Sequence, residues 1–266
     1  MHAQILHERS FCHLQLPHLP LDELRTRLRN SKNVLWLWLA IDPLTKILPV
    51  LSLGPRTQNA AHTFIHSLRG VLAPGCLPLF TSDGLNLYFY ALTAHFGTWR
   101  QERRRGRNMC RWQVATNLIY GQVKKCYQRR KLVRVRHLMR LGTEDARKAV
   151  LQGLGLCGRL NTAFIERLNV TIRHGVAALA RRTWATSQQS PHLLAHLEWW
   201  RAYYHFVRPH ASLRMTLVQP CERGGKRQAQ YYRQRTPAMA AGRTTRRWTA
   251  RDVLCSPLPP VPCSAW

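Results

Sequence analysis

The hydrophobic pattern changes period between residues 19 and 85, and that change limits the fold more than any other feature of the chain. Leu19–Leu28, Val34–Ile41 and Lys46–Leu53 are short apolar or mixed segments, separated by Asn30-Ser31-Lys32-Asn33 and Asp42-Pro43-Leu44-Thr45. Short runs bounded by turn formers read as strands. From Thr57 to Ala73 the apolar residues Ala60, Phe64, Ile65, Leu68, Val71 and Leu72 recur at intervals of three and four, which is a helix with Thr57 as its N-cap. Pro74-Gly75 ends it, Leu77–Thr81 is a compact apolar run, and Ser82-Asp83-Gly84 forces a sharp turn. The order predicted is three strands, a helix and a buried fourth strand that terminates in an acid. With further helices behind it, beginning with Asn86–Phe96, this describes an α/β fold: a mixed sheet covered by helices. Asp22 stands on the first of these strands and Asp83 at the end of the fourth, and an architecture that lays those two strands side by side lets them meet.

A third acid belongs on a helix against the same sheet. Leu160–Arg181 predicts one, with Ile165, Leu168, Ile172, Val176 and Leu179 on a single face. At roughly 100° per residue, Glu166 falls on the flank of that stripe, close in angle to Asn169 and Arg173. An acid that borders the core, with polar and basic neighbours on its edge, suits a ligand for a metal beside bound phosphate.

Charge then selects the partner. Forty-one Lys and Arg stand against 12 Asp and Glu, a formal net charge of +29, and the pI is near 11.3. Such a chain seeks a polyanion, and basic residues spread over several segments favour nucleic acid over a membrane surface. The longest apolar run, Val34–Ile41, is far below the roughly 18 residues that span a bilayer. No secretory leader is legible in the first 20 residues, so a cytoplasmic, nucleoid-associated location is expected. Eight Cys include no C-x-x-C pair, which disfavours zinc ribbons and disulfide frameworks and leaves them reduced.

Several motifs in series now resemble a family. Leu21-Asp22-Glu23-Leu24, Trp36-Leu37-Trp38-Leu39-Ala40-Ile41-Asp42, Thr81-Ser82-Asp83-Gly84, Ile165-Glu166-Arg167-Leu168-Asn169 with Ile172-Arg173, Ala180-Arg181-Arg182-Thr183 and His205–Arg214 are similar to the DDE transposases of bacterial insertion sequences. The likeness runs from about residue 19 to about residue 214. It implies a ribonuclease H-like catalytic domain over 19–214, preceded by a short extension over 1–18, interrupted by a basic insertion at about 100–158, and followed by a basic, Pro-rich tail over 215–266. The implied fold lays the first and fourth strands side by side, so that Asp22 and Asp83 meet. It further implies that Asp22, Asp83 and Glu166 are catalytic and hold two Mg²⁺ ions, with Mn²⁺ as the alternative metal. Two such ions about 4 Å apart activate a water or a 3′-hydroxyl and stabilise the leaving oxygen of a phosphodiester. The implied reaction is cleavage at the ends of the protein's own DNA element and joining of the freed 3′-hydroxyl to target DNA. Homo-oligomerisation on paired ends is part of the same expectation.

The resemblance has two departures. Arg25 stands where many relatives carry an aromatic, and the N-terminal 20 residues are too few for an end-recognition module, so that role is expected in a separate polypeptide. Two other classes share the composition: an inactive or truncated remnant that only binds nucleic acid, and a ribonuclease H-like nuclease.

The remaining candidates are assigned by chemistry. Arg103, Arg104, Arg105, Lys124 and Lys125 are expected to contact phosphate, and the alternation through Arg134 and Arg136 reads as an edge strand. Asn169, Arg173, Arg208 and His210 are expected at the DNA, while His205 is equally a packing residue. Asp42 before Pro43 reads chiefly as a turn former. His62 and His66, and His192 and His196, have chelate spacing but no acidic or Cys partner nearby, so a helix surface is expected. Trp199, Trp200, Tyr203 and Tyr204 read as core. Cys221–Arg251 and Pro257–Pro262 read as a tail that is flexible until DNA binds.

Overall fold

A computed structural model of the protein describes residues 2–29, 34–104, 107–157, 159–180, 187, 189–223 and 226–259. The chain divides into two compact units, Cys12–Leu44 with Leu48–Ser190, and Met1–Phe11 with Thr45–Ile47 and Pro191–Trp266. This division differs from the expected boundaries, because residues 191–214, and the helical residues 2–10, group with the C-terminal segment. Among the described residues no helix is long and apolar enough to cross a membrane.

The larger unit is built on a six-stranded mixed sheet. Its strands are β1 (His18–Arg27), β2 (Val34–Ala40), β3 (Leu51–Gly54), β4 (Leu79–Ser82), β7 (Ile119–Gln128) and β8 (Lys131–Leu141), ordered β3-β2-β1-β4-β7-β8. Antiparallel pairing joins β1 to β2, β2 to β3 and β7 to β8, while β4 runs parallel to both β1 and β7. The fully buried Leu19, Leu21, Trp38, Ala40 and Phe80 share one face in this register, and a slip of one residue would turn a strand's part of that set to the other face.

Helices α2 (Gln58–Val71), α3 (Leu87–His95) and α5 (Ala163–Gly175) flank the sheet. The Thr57 side chain accepts from the Ala60 N–H, so the cap legible in the sequence is the cap observed. Ala61, Phe64, Ile65 and Leu68 form the buried face of α2. Helix α4 (Glu144–Gly153) packs Leu151 into a small core with Leu79, Val123 and Leu160.

Three expectations are corrected here. The strand expected over Lys46–Leu53 is confined to Leu51–Gly54, because Lys46 adopts a left-handed φ of 63° and Pro49 has no N–H for a ladder. The stretch at about 100–158 does not form a separate insertion, because β7 and β8 complete the sheet itself. Only β5 (Gly97–Arg104) and β6 (Arg107–Val114) stand apart, as a two-stranded ribbon. The helix expected over Leu160–Arg181 ends at Gly175 and is followed by a 3₁₀ turn at Ala177–Leu179, which keeps Val176 and Leu179 buried. Arg181 lies outside the described residues.

The smaller unit is mostly helical. It contains α1 (His2–Ser10), α6 (Ser190–Ala202) continuing into a π turn at Tyr203–Val207, the hairpin β9 (Met215–Arg223) and β10 (Lys226–Arg233), and the short helices α7 (Pro237–Ala240) and α8 (Ala250–Cys255). An aromatic core joins its ends. His205 lies 4.8 Å from Phe11 and 5.2 Å from His7 by ring centroids, and Phe206 stacks on Trp248 at 4.6 Å. Trp200 and Tyr204 are buried as expected and stack on one another, whereas Trp199 is half-buried and Tyr203 is exposed on the outer side of the same helix, which corrects the expectation that all four are core.

The flexible tail is therefore overturned for the described residues. Ala238 and Val253 are fully buried, and Thr249 and Asp252 close a capping box on α8. A few apolar anchors in a basic, Gly- and Gln-rich background escape a compositional reading, yet they suffice to dock the segment. Residues 260–262 of the Pro-rich end lie outside the described set.

Candidate active site

The parallel pairing of β1 and β4 decides where the acids stand. The last paired residues are Pro20 and Thr81. Two residues further along come Asp22, midway along β1, and Asp83, just past β4, so both carboxylates emerge in step at the carboxyl end of β4, where the parallel pairing stops. Crevices at that end of a sheet are where such folds bind ligands. Glu166 lies in the first turn of α5, which packs on β1. All three carboxylates line one cleft of about 660 Å³, together with Gly84, Val123, Lys124, Lys125, Tyr127 and Thr162.

Each acid is held by its own contacts. Asp22 accepts 2.7 Å from the Asn169 side-chain amide and 2.9 Å from the Glu23 backbone N–H. Burial first, with the Asp83 and Glu166 carboxylates adding to it, pushes its carboxyl up to about 6 against the opposing effect of the two hydrogen bonds. Asp83 accepts 2.9 Å from the Leu85 N–H, an Asx turn that aims the carboxylate. Behind it, Ser82 Oγ lies 2.7 Å from the Tyr120 hydroxyl, and Gln122 donates to that hydroxyl and to the Leu85 carbonyl, which makes the turn rigid.

Glu166 differs from the two aspartates. Its Oε1 accepts 2.7 Å from the Thr162 hydroxyl and forms an ion pair with the Lys125 ammonium. Partial burial raises its carboxyl, but Lys125 and Thr162 outweigh that and hold it below the ordinary range. This region packs closely at Gly121: a Cβ there would meet Leu160 Cδ1 at 2.4 Å, so any larger residue forces the buried Leu160 side chain, on the segment leading to α5, to shift.

Glu23 points to the opposite side of β1, as strand alternation requires. It is buried, pairs with Arg56 at 2.5 Å and accepts from Tyr88 Oη at 3.0 Å. Burial and the neighbouring Asp83 push its carboxyl up to about 7.

The other expected residues fall in several places. Asn169 orients Asp22, and Arg173 lines the adjoining cavity of about 720 Å³ with Glu166 and Asn169. Lys124 covers Gly84 at the cleft wall, and Arg103 is exposed on β5. The side chain of Arg104, and Arg105 entirely, lie outside the described residues. In the smaller unit Arg208 is exposed and His205 is fully buried, so His205 is a packing residue. His210 Nδ1 accepts from the Ser212 N–H and caps the turn at Ala211–Leu213, which makes it a local structural group. Asp42 Oδ1 accepts from the Leu44 N–H, in keeping with a turn.

Tyr88, Tyr120 and Gln122 carry no local sequence signal, because their parts depend on contacts with residues 37 to 65 positions away. Thr162 carried one signal, its place four residues before Glu166 on the approach to a helix. His95 is a further addition, with its ring 5.5 Å from His62 and 5.4 Å from His66.

A divalent ion wants oxygen ligands and uncompensated negative charge. Asp22 and Asp83 supply both at the cleft. Glu166 does so only when it parts from Lys125, and among the described residues no three His, Cys, Asp or Glu converge on one metal-binding point. No protein-family model matches the chain, and no curated protein is detectably similar to it.

Proposed function

We propose that the chain is a DDE-type transposase that cleaves DNA and transfers the freed strand in a metal-dependent reaction, on a ribonuclease H-like domain. One observation carries the reading. Carboxylates separated by more than 140 positions, Asp22 and Glu166, share a single cleft with Asp83, Asp22 midway along β1 and Asp83 just past the end of the parallel strand β4. The sheet order β3-β2-β1-β4-β7 with β2 antiparallel to both its neighbours is compatible with that fold.

Asp22, Asp83 and Glu166 would hold Mg²⁺ or Mn²⁺, which supplies a Lewis acid for the attacking and leaving oxygens of a phosphodiester. The protein's own groups orient the donors. Asn169 fixes Asp22, the Leu85 N–H fixes Asp83, and Thr162 fixes one oxygen of Glu166. Beside the cleft, β7 and β8 extend past β4, which pairs only with residues 119–122 of β7. That extension carries Lys124, Lys125, Arg129, Arg130, Lys131, Arg134 and Arg136 and no acid. Like charges at this density repel one another unless a polyanion lies against them, and the phosphate backbone supplies it.

The test combines purified protein, labelled element-end DNA, a target plasmid and Mg²⁺. Cleavage followed by joining is expected, with loss of both in Asp83→Ala and Glu166→Ala. Cleavage without joining identifies a nuclease, and binding without cleavage identifies a nonenzymatic nucleic-acid binder. Full activity in either variant rejects the site.

A further inference from the structure

We propose that Lys125 is a positioning residue that latches the cleft: its ammonium holds Glu166 when nucleic acid is absent and passes to a backbone phosphate when nucleic acid binds, so that polyanion and divalent cation bind cooperatively. The proposal rests on the reading of the cleft as a metal-dependent nucleic-acid site.

The asymmetry of the three acids carries the argument. Among the described residues Asp22 and Asp83 receive only neutral N–H donors, whereas Glu166 holds a full positive charge. One carboxylate oxygen, Oε1, is occupied twice, by Lys125 Nζ and by Thr162 Oγ1. A single ammonium therefore stands at the place where a divalent ion would need that oxygen, and the two cations compete for one donor.

Lys125 is suited to exchange. It is a point charge on a flexible four-carbon stem, and it needs no fixed geometry to move from one anion to another. Its side chain is 31% exposed and that of Glu166 is 48%, so breaking the pair in water costs little. It also sits on the strand whose extension gathers the basic residues, opposite Val135 and next to Lys124, which pairs with Arg136. Strand alternation sets Lys125 on the face of Val135 and Lys124, Arg134 and Arg136 on the other, but Lys124 and Lys125 both line the cleft, where a phosphate backbone offers Lys125 a charge-assisted acceptor as good as the carboxylate. Release of Glu166 then completes the three-carboxylate set. Linkage requires the reverse as well: a cation that captures Glu166 frees Lys125 for phosphate, and each ligand raises the other's affinity by one factor.

Binding of Mn²⁺ tests this without any activity measurement, by following the free-ion electron spin resonance signal. Lys125→Met should bind Mn²⁺ about tenfold more tightly than the wild-type chain, as expected when one competing unit charge is removed at ion-pair distance. Lys125→Arg should behave like wild type, and Glu166→Gln in the Lys125→Met background should lose the gain. A short DNA duplex, with the signal of duplex alone subtracted, should tighten Mn²⁺ binding to the wild-type chain and leave Lys125→Met unchanged. Equal Mn²⁺ affinity in wild type and Lys125→Met, or a duplex effect that survives in Lys125→Met, overturns the latch. Absence of Mn²⁺ binding in every variant overturns the metal reading of the cleft instead. Because the pair is exposed, thermal melts of all variants should coincide within a few degrees, which confirms that the comparison is between folded proteins.

Discussion

Lys125–Glu166 in the larger unit and Arg201–Glu198 in the smaller are ion pairs of similar chemistry in opposite surroundings. The side chains of the first are 31% and 48% exposed, and those of the second 5% and 8%. Water surrounds the first pair and screens it, so either partner can leave at little cost. The second is enclosed, where an unpaired charge has no solvent to turn to. Burial raises the Glu198 carboxyl and lowers the Arg201 guanidinium, and the pairing opposes both shifts. One pair is therefore exchangeable and suited to a ligand site, while the other holds a core together.

The largest effect expected from this contrast is at Glu198. Glu198→Ala strands a buried guanidinium and should cost about 3–5 kcal/mol in urea unfolding, whereas Glu198→Leu with Arg201→Met should restore much of that loss. A loss below about 1 kcal/mol in the single variant would mean that the pair is wet after all, and the contrast would fail.

Acid sharpens the same comparison. His205 is fully buried, and burial first, then the Arg201 charge, holds its imidazole well below the ordinary value. A depressed histidine is neutral in the folded state, so the unfolded chain takes up more protons as pH falls below about 6.5. Stability attributable to His205 is thus complete above that pH and declines below it. Melting temperatures from pH 8 to pH 4 should fall less in His205→Phe than in wild type, and parallel curves would remove His205 from the account.

Intermediate in size is Gly121→Ala. The added methyl meets Leu160, and overpacking of this kind costs about 1–3 kcal/mol. Because Leu160 leads into α5, the variant should also weaken Mn²⁺ binding, and an unaltered affinity would show that the contact supports the core without setting the cleft.

Glu166→Gln should change unfolding free energy by less than about 1 kcal/mol, the range of exposed pairs, although it abolishes the proposed chemistry. A larger loss would show that the cleft pair is structural. Smallest of all, Arg134→Ala and Arg136→Ala should leave stability unaltered, and each should lower the salt dependence of DNA binding by about one in log–log slope.

Legibility in the sequence followed the range of the interaction involved. The α2 cap at Thr57 and the turn at Asp83-Gly84 depend on residues within four positions, and both were readable. The same holds for the alternation that separates Asp22 from Glu23 along β1, since a strand carries that pattern in its own backbone. The β8 edge strand was readable for the same reason, but its membership of the main sheet was not, because the intervening basic residues resembled an insertion. The C-terminal segment misled for the opposite cause. Its composition is that of a disordered chain, and a handful of anchors such as Ala238, Met239 and Val253 reverse the outcome.

Local periodicity thus determined β1, β2, β4, the β8 edge strand, α2, α3 and the core of α5, with Asp22 within β1 and Asp83 after β4, because each is a consequence of burying one face of a short segment, while the hairpins β5–β6 and β9–β10 escaped it. Register and partnership belonged to the tertiary structure alone. Parallel pairing of His18–Pro20 with Leu79–Thr81 brings Asp22 level with Asp83, and packing of α5 on β1 delivers Asn169 to Asp22 across 147 positions. The same packing gives Glu166 to Lys125 across 41. Contacts of that separation depend on which apolar faces close on one another, and no window of the sequence contains both partners.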